Sequence, residues 1–251
     1  MESIKISLCI PTMNRFDSFL KNYVEQYLYY LEKNIIDELI ICDENGGDYD
    51  KINAYFSDAL LKCPSFRVYK NDTVLGVFQN KLKVGSLASF DFIAIMDSDN
   101  FAEETYFIAA KQYMTSNTFN KHVIFAPSFA KPTFNYKQFS NTIVTKQNLK
   151  DYYSAGNFNI LLNTGNYIVS KNIFDTIQYD SRVMHYISAC DVLFFNLLCF
   201  QQFEDFQLHV LQDMEYTHVV HGGSIYTNTI RDCQEFINRV VLPEYDKLMN
   251  A

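Results

Sequence analysis

Two aspartates separated by one residue follow a long apolar run. Residues 90–96 read Phe-Asp-Phe-Ile-Ala-Ile-Met and lead directly into Asp97, Ser98 and Asp99. A buried strand ending here places both carboxylates at its carboxyl end, where open α/β sheets bind ligands. The two carboxylates repel each other unless a cation lies between them, and a divalent metal bound with a nucleotide diphosphate would supply one. The pattern therefore indicates a nucleotide and metal site, with a polar turn as the alternative because Asp and Ser favour turns.

Polar turns also follow the first two predicted strands. The first turn contains Pro11, Thr12, Asn14 and Arg15, and the second spans residues 43–47, Asp-Glu-Asn-Gly-Gly. Because parallel strands present their carboxyl ends at one edge of a sheet, we expect all three turns to line one crevice. The acidic residues of the second turn could accept hydrogen bonds from a base or a ribose. Together the turns predict a nucleotide pocket.

A predicted helix that begins at Gly76 carries Lys81 and Lys83. A helix in this position could bring positive charge towards a diphosphate. The alternative is a solvated helix face, on which lysines are common.

The elements that position these turns follow from hydrophobic periodicity. Strand and helix signals alternate in the first half, which predicts an α/β fold with a mainly parallel central sheet flanked by helices. The predicted strands are 4–10 (stopped by Pro11), 38–42, 66–69 and 90–96, and the predicted helices are 17–33, 49–61 and 76–88.

Beyond residue 100 the alternation weakens. Residues 127–156 are rich in Asn, Lys, Tyr and Thr, which is typical of an excursion or a mobile loop. The other predicted elements are a helix at 103–115, a strand at 123–126, a strand pair at 159–170, a helix at 188–202, strands at 208–211 and 216–220, and a final helix at 228–248. Without an internal repeat or a Gly/Ser linker, we expect a single domain of residues 1–251.

Composition narrows the class of protein. The 251 residues carry a formal net charge of −8, which argues against a nucleic-acid partner because phosphate binding needs clustered Lys and Arg. The six cysteines show no metal-ligand spacing, so we expect a reduced, intracellular protein. No signal-peptide pattern and no apolar run of about 20 residues is present. We therefore expect a cytoplasmic chain without a transmembrane segment, with peripheral membrane contact left open.

The quoted segments resemble the family 2 inverting glycosyltransferases of GT-A fold. Residues 6–15 are similar to that family's opening strand and turn, 38–46 to its second strand, and 75–99 to the segment that leads into its Asp-x-Asp motif. The resemblance implies a GT-A fold in which residues 1–100 bind a nucleotide-diphosphate sugar and residues 101–251 form the acceptor side. It also implies a Mn²⁺ or Mg²⁺ cofactor.

Two later segments extend the resemblance. Residues 189–194 are similar to the family's acidic motif, which implies that Asp191 is the catalytic base. Residues 221–224 are similar to a late turn whose histidine approaches the metal, which implies a role for His221. The alternatives are a capping box that begins at Ser188, with Asp191 closing a helix start, and ordinary loop and strand histidines at His221 and His218. The turn at 163–166 is a further candidate for the border of the acceptor pocket.

The resemblance also implies a full set of contacts. The expected metal ligands are Asp97, Asp99 and His221, and the expected donor-binding residues are Pro11, Thr12, Asn14, Arg15, Asp43, Glu44, Gly76, Lys81, Asp97 and Ser98. The chain departs from the family's pattern at three positions. Glu44 stands for an aspartate, Cys190 for a glutamate, and Lys81-Leu82 for Arg-Asn.

The expected reaction is metal-dependent inverting transfer of a sugar to an acceptor hydroxyl, with Asp191 taking the acceptor proton. Two other functions remain open. One is a catalytically inactive module that binds nucleotide sugars. The other is a sugar nucleotidyltransferase, although such enzymes have a Gly-rich, basic loop where this chain has Pro-Thr-Met-Asn-Arg at residues 11–15.

Overall fold

A computed structural model describes residues 3–180, 187–223 and 225–250; residues 225–228, 230 and 232 are described by their backbone alone. The strands are β1 Ile6–Thr12, β2 Glu38–Asp43, β3 Phe66–Lys70, β4 Phe92–Ile95, β5 Val123–Lys131, β6 Phe134–Asn135, β7 Ile143–Val144, β8 Ile168–Ser170 and β9 Gln207–Thr217. The α-helices are α1 Lys21–Glu32, α2 Tyr49–Tyr55, α3 Ser57–Lys62, α4 Val77–Ser86, α5 Glu104–Ser116, α6 Leu149–Tyr153, α7 Phe158–Leu161, α8 Lys171–Thr176, α9 Asp191–Gln202, α10 Ile225–Phe236 and α11 Leu242–Asn250. None of the described helices is long and apolar enough to cross a membrane.

The strands form one mixed sheet in the order β3-β2-β1-β4-β8-β5-β9-β7, with β6 paired to β5. Strands β3, β2, β1 and β4 are parallel to one another, and β5 is parallel to β9. Strand β8 lies antiparallel between β4 and β5, and joins the two parallel groups. The predicted α/β fold with a mainly parallel sheet is therefore confirmed.

Both faces of the central strands are covered, which explains their nearly continuous apolar sequences. Alternate residues such as Leu8 and Ile41 join the larger core, which includes residues of α1 and α5. Their neighbours Cys9 and Ile40 join a smaller core with Val84 of α4 on the opposite face. The side chain of Cys9 is fully buried and packs as a small hydrophobic group.

The first strand is longer than expected, because Pro11 does not stop it. Pro11 pairs with Cys42, and β1 ends one residue later, at Thr12. Backbone groups of alternate residues point to the same neighbouring strand, so those of Cys9 and Pro11 both point towards β4. Strand β4 pairs with β1 only as far as Cys9. The missing N–H of Pro11 therefore removes no ladder hydrogen bond.

Several later elements also differ from the sequence predictions. The first half of the expected strand pair at 159–170 is helical, and only β8 is a strand. The two expected late strands are the single strand β9, whose register against β5 shifts between Pro127 and Phe129. This irregularity interrupts the alternation of apolar and polar residues, which explains why the sequence indicated two strands. The expected excursion at 127–156 contains β6, β7 and α6.

Three of the expected helices are also interrupted. Helix α1 is preceded by a π-helical turn, Phe16–Leu20, and the helix expected at 49–61 is divided at Phe56 into α2 and α3. The final helical segment begins at α10 and continues through a π-helical turn, Ile237–Val241, into α11.

Candidate donor-binding and catalytic site

The turns after β1 and β2 are held together by Asp48, a residue that the sequence did not indicate. Its Oδ2 accepts hydrogen bonds from Thr12 Oγ1 at 2.7 Å and from the Arg15 backbone N–H at 2.9 Å. Its Oδ1 accepts the Phe16 backbone N–H at 3.0 Å. The Asp48 side chain lies across two turns that are distant in sequence, and local periodicity gives no signal for such a contact.

Asp43 organises the second turn from within. Its fully buried carboxylate accepts the backbone N–H groups of Asp48 at 2.7 Å, Tyr49 at 2.6 Å and Asn45 at 3.3 Å. These donors lie at and before the start of α2, where backbone N–H groups lack partners within the helix. The sequence predicted that the Asp43 carboxylate binds a nucleotide. In the structure it accepts hydrogen bonds from the backbone of its own turn and orders that turn.

Glu44 links the second turn to the start of α4. One carboxylate oxygen accepts the Gly76 backbone N–H, and the other accepts Asn71 Nδ2 at 3.3 Å. Gly76 has a φ of 89°, a left-handed conformation that L side chains rarely adopt. The Glu44 side chain reaches this N–H, so Glu44 anchors the helix that carries Lys81.

Lys81 brings together two acidic candidates that are distant in sequence, Asp97 and Asp191. Its Nζ lies 2.8 Å from Asp97 Oδ1 and 2.8 Å from Asp191 Oδ2, so one ammonium bridges two carboxylates. The Lys81 side chain is 15% exposed and that of Asp191 is 11% exposed. Burial lowers the pKa of Lys81, but the two carboxylates outweigh it and hold the pKa above its ordinary value.

Asp191 is the first residue of α9, with Cys190 at the N-cap position and no side-chain capping hydrogen bond. Ser188 Oγ instead contacts Cys233 Sγ at 3.1 Å, so the alternative of a capping box is not formed. Burial raises the pKa of Asp191, and Lys81 opposes the rise. A small, largely apolar cavity of about 40 Å³ borders the carboxylate and is lined by side chains that include Phe78, Phe174 and Phe195.

The turn at 163–166 holds the other side of Asp97. Asn166 accepts the Asp97 backbone N–H at 2.8 Å and donates from Nδ2 to Asp97 Oδ2 at 3.3 Å. Asn163 accepts the Leu193 backbone N–H at 3.1 Å and therefore contacts the first turn of α9. This turn joins the Asp-x-Asp segment to the helix of the candidate base. Ser98, between the two aspartates, is buried.

Asp99 belongs to a second cluster, whose partners differ from those of Asp97. Its Oδ2 lies 3.0 Å from Nε2 of His221, whose ring packs on Phe19 with ring centroids 5.0 Å apart. Arg15 donates from Nη2 to the Gly223 carbonyl at 2.6 Å and fixes the same loop. The predicted metal ligands Asp99 and His221 and the predicted donor-binding residue Arg15 therefore lie close together, although they are distant in sequence.

The donor atoms of Asp99 and His221 are close enough for one divalent cation to bind both, since neighbouring ligands of an octahedral Mg²⁺ are separated by about 3.0 Å. In this structure the two atoms, 3.0 Å apart, form a hydrogen bond with each other, which a bound cation would replace. Asp97 is bound instead by Lys81 and Asn166. Among residues 3–180, 187–223 and 225–250, no group of three or more His, Cys, Asp or Glu side chains is arranged to hold a metal. Such a cation would complete its shell with water or substrate oxygens.

The segment after β9 runs along the Asp-x-Asp turn. Phe101 and Thr217 exchange backbone hydrogen bonds of 3.0 and 2.8 Å, and the Val219 N–H donates to Asn100 Oδ1 at 3.0 Å. His218 lies between these two contacts. Its Nδ1 is buried and forms no hydrogen bond with any described residue. Burial lowers the pKa of His218, although Asp97 and Asp99 oppose this effect.

The fold is shared with solved structures of S. aureus TarS, which include complexes with UDP and UDP-GlcNAc. The complex of TarS residues 1–349 with UDP-GlcNAc aligns with a TM-score of 0.69 and 16% identity, over 96% of this chain and 66% of that one. The UDP complex aligns with a TM-score of 0.63 and 15% identity, over 98% and 70%. A longer TarS structure aligns with a TM-score of 0.58 and 16% identity, over 94% of this chain and 40% of that one.

At these identities the likeness shows that the α/β fold is shared with TarS, and it leaves the family and the function open. No protein-family model matches the chain, and no curated protein sequence matches it. The structure thus brings the predicted residues into two clusters, Asp97–Lys81–Asp191 and Asp99–His221–Arg15. It engages Asp43 and Glu44 in hydrogen bonds that order their own turn and helix α4.

Proposed function

We propose that the chain is a family 2 inverting glycosyltransferase of GT-A fold that transfers a sugar from a nucleotide-diphosphate donor to an acceptor hydroxyl. The bridge of Lys81 between Asp97 and Asp191 carries this proposal, because it places a candidate base beside the Asp-x-Asp turn. The TarS structures contain UDP and UDP-GlcNAc, so uridine nucleotide sugars are the first donors to test.

Asp191 is assigned the role of general base. In its ionised form, which Lys81 favours, the carboxylate takes the proton of the acceptor hydroxyl as that oxygen attacks the anomeric carbon. The bond from the anomeric carbon to the diphosphate oxygen breaks in the same displacement, and the configuration inverts. The first turn of α9 holds the carboxylate in position, since Asp191 is the first residue of that helix.

Asp99 and His221 are assigned as the protein ligands of Mn²⁺ or Mg²⁺. When bound, the cation would neutralise negative charge on the departing diphosphate. Arg15 fixes the loop that carries His221, and Asp97 remains with Lys81 on the side of the base. The donor site therefore draws on residues 1–100, and residues 101–251 contribute the base and one metal ligand.

The test measures nucleoside diphosphate release from a panel of UDP- and GDP-sugars, with and without Mn²⁺, together with calorimetric donor binding. We expect metal-dependent binding and release. Asp191→Asn should retain donor binding and lose at least 100-fold in release, whereas the control Asp175→Asn, on the exposed face of α8, should match the wild type. Near-normal release by Asp191→Asn would contradict the assignment of the base. Binding without release by the wild type would instead favour an inactive binding module.

A further inference from the structure

A small cavity beside Asp191 has apolar walls that the proposed mechanism does not use. It measures about 40 Å³ and lies where helices α4, α8 and α9 face strands β4 and β8. Asp191 and Lys81 form one part of its lining. Most of the remaining lining is apolar and includes the side chains of Phe78, Leu82, Val169, Phe174 and Phe195.

The cavity is within reach of groups that approach Asp191 from the solvent. It is partly open, and the side chains of Lys81 and Asp191 that line it are themselves 15% and 11% exposed. In the proposed reaction, the attacking hydroxyl comes within about 3 Å of the Asp191 carboxylate, which takes its proton. The anomeric carbon of the donor lies next to that hydroxyl during the displacement. Both reactants therefore come close to the cavity.

The polar side chains in the lining are already paired, which favours an apolar occupant. Lys81 Nζ binds the carboxylates of Asp97 and Asp191. The side chain of Asn166 accepts the Asp97 backbone N–H and donates to the Asp97 carboxylate. A hydroxyl in the cavity would find few free partners, and a polar group buried without partners is destabilising. An apolar group loses no hydrogen bonds there and gains contacts with the surrounding rings and alkyl chains.

The volume of the cavity limits the size of its occupant. An apolar cavity of about 150 Å³ holds one molecule of benzene. A cavity of about 40 Å³ therefore has room for roughly one or two carbon atoms. A methyl group has this size.

We propose that the cavity binds a methyl group of one of the two reactants, an inference that rests on the proposed glycosyl transfer. Sugars carry such a group in an acetamido substituent or at a deoxygenated C6. The bound methyl group anchors its sugar beside Asp191, so the cavity selects between sugars that differ at that one position. The donor and the acceptor are the two sources of this group, and the experiment distinguishes them.

Matched pairs of donors test the first source. UDP-GlcNAc and UDP-GalNAc have an acetamido methyl that UDP-glucose and UDP-galactose lack, and GDP-D-rhamnose has a methyl where GDP-mannose has a hydroxymethyl group. Calorimetry measures the affinity of each donor, and of UDP and GDP, for the wild type and for Val169→Ile, which adds one carbon to the cavity wall. If the donor supplies the methyl group, Val169→Ile should weaken binding of a methyl-bearing donor about tenfold. Its matched partner and the diphosphate should stay within about twofold of the wild type.

Matched free sugars test the acceptor as the source. GlcNAc is compared with glucose, and L-fucose with L-galactose, in NMR titrations of both proteins saturated with UDP. If the acceptor supplies the methyl group, the donors should bind the two proteins alike. Val169→Ile should then weaken binding of GlcNAc or L-fucose about tenfold, with the matched sugar unaffected.

Two further variants make the result specific to the cavity. Val192→Ile adds a carbon at another wall and should reproduce the pattern of Val169→Ile. Val240→Ile makes the same change at an exposed position outside the cavity and should match the wild type. Thermal unfolding of every variant checks that the fold is intact.

Two outcomes would overturn the inference: no selective loss with either source, or equal weakening of both members of every pair. If the wild type binds none of the nucleotide sugars, the proposed function itself fails. That result is distinct from the other two, because it appears before any variant is compared.

Discussion

At the scale of single residues, the site has two carboxylates, Asp97 and Asp191, that share one positive charge, Lys81. Lys81 alone bridges Asp97 and Asp191 among the ion pairs of the described residues, and all three side chains are largely buried. Breaking a buried ion pair from one side leaves uncompensated charge, which is far more costly than the pair itself is stabilising. We therefore expect Lys81 to influence both the ionisation of Asp191, the proposed base, and the position of Asp97.

Replacing Lys81 with Met should move the acidic limb of the pH–rate profile to higher pH. The general base works when ionised, so activity falls as the pH drops through the pKa of Asp191. Lys81 opposes the rise of that pKa caused by burial, and its removal lets the pKa rise further. Initial rates measured between pH 5 and 9 check this shift. An unchanged limb would show that another group sets the ionisation of the base, and Lys81→Arg is the charge-preserving control.

Replacing Asp99 with Asn should uncouple diphosphate binding from the metal. The wild type is expected to bind UDP more tightly with Mn²⁺ than without it, and in Asp99→Asn the gain should fall at least tenfold. Calorimetric titration of UDP with and without Mn²⁺ measures the gain. Retention of the full gain would show that Asp99 is not a ligand.

The residues of the donor side that lie close to one strand end could be predicted from the sequence. Asp97 and Asp99 stand out because an apolar run ends at them. Asp48 could not be predicted, because it acts across a long sequence separation through contacts that leave no periodic pattern. The turn at 163–166 was a candidate for the border of the acceptor pocket, but the contact of its Asn166 with Asp97 could not be predicted for the same reason. Asp191 was found through the family resemblance, since an aspartate before an apolar helix is also a common helix start.

At the scale of elements, helix α4 is the support for Lys81, and a glycine on its buried face lets it pack closely against α8. A Cβ added at Gly85 would lie 2.7 Å from the ring of Phe174 on α8, closer than normal carbon contacts allow. The two elements therefore touch through a glycine, and α4 can approach α8 closely at this point. The other end of α4 is held by Glu44 at Gly76.

Gly85→Ala should therefore destabilise the protein by about 1–3 kcal/mol, because the ring of Phe174 must move in a packed interior. Urea unfolding followed by circular dichroism measures the change in free energy. Ser86→Ala, one residue along the same helix and exposed, is the matched control and should stay within about 0.5 kcal/mol of the wild type. A stability equal to that of the wild type would mean that the ring of Phe174 can move away from the added methyl group without a measurable cost in free energy.

Asp48→Asn should lower the free energy of unfolding by about 2 kcal/mol, because it replaces a charged acceptor of three hydrogen bonds with a neutral amide that keeps one acceptor oxygen. Donor affinity should fall as well, since the turns after β1 and β2 lose their link. Asp50→Asn, an exposed residue in the first turn of α2, serves as the control. Loss of affinity without loss of stability would instead place Asp48 in direct contact with the nucleotide.

The parallel strands could be predicted because their apolar runs are bounded by polar turns. The structure of the segment at 159–170 was not predicted correctly, because the short apolar stretch around residues 160–162 fits a buried helix turn as well as a strand. Tertiary contacts determine which of the two forms, and one of these contacts joins Asn163 to helix α9. Strand β9 was divided in the prediction by a break in alternation that reflects its irregular pairing with β5.

At the scale of the whole molecule, the second half of the sheet contains a buried histidine that links stability to pH. His209, in β9, is 1% exposed, and its Nδ1 lies 2.9 Å from the Tyr113 hydroxyl. Burial lowers its pKa to about 4 from an ordinary value of 6.5. The unfolded chain takes up a proton as the pH falls below 6.5, and the folded chain does not until the pH is near 4.

Acidification from pH 7 to pH 4 should therefore destabilise the protein, with the unfolded state binding one more proton at His209. The melting temperature of His209→Gln should fall less steeply over this interval than that of the wild type. The difference between the two slopes isolates the histidine from the many carboxylates that titrate in the same range. Parallel slopes would show that His209 is protonated in the folded protein as readily as in the unfolded one.

The long reach of the contact between Arg15 and Gly223 has a consequence for biosynthesis. The two residues are 208 positions apart, and Asp99 and His221 are 122 apart. A ribosome that has released only the first 200 residues has produced the Asp-x-Asp turn without the histidine opposite it. The contacts of Arg15 with Gly223 and of Asp99 with His221 therefore form only after residue 223 has left the ribosome. UDP affinity in a series of truncated nascent chains would record when β9 and the loop that follows it dock.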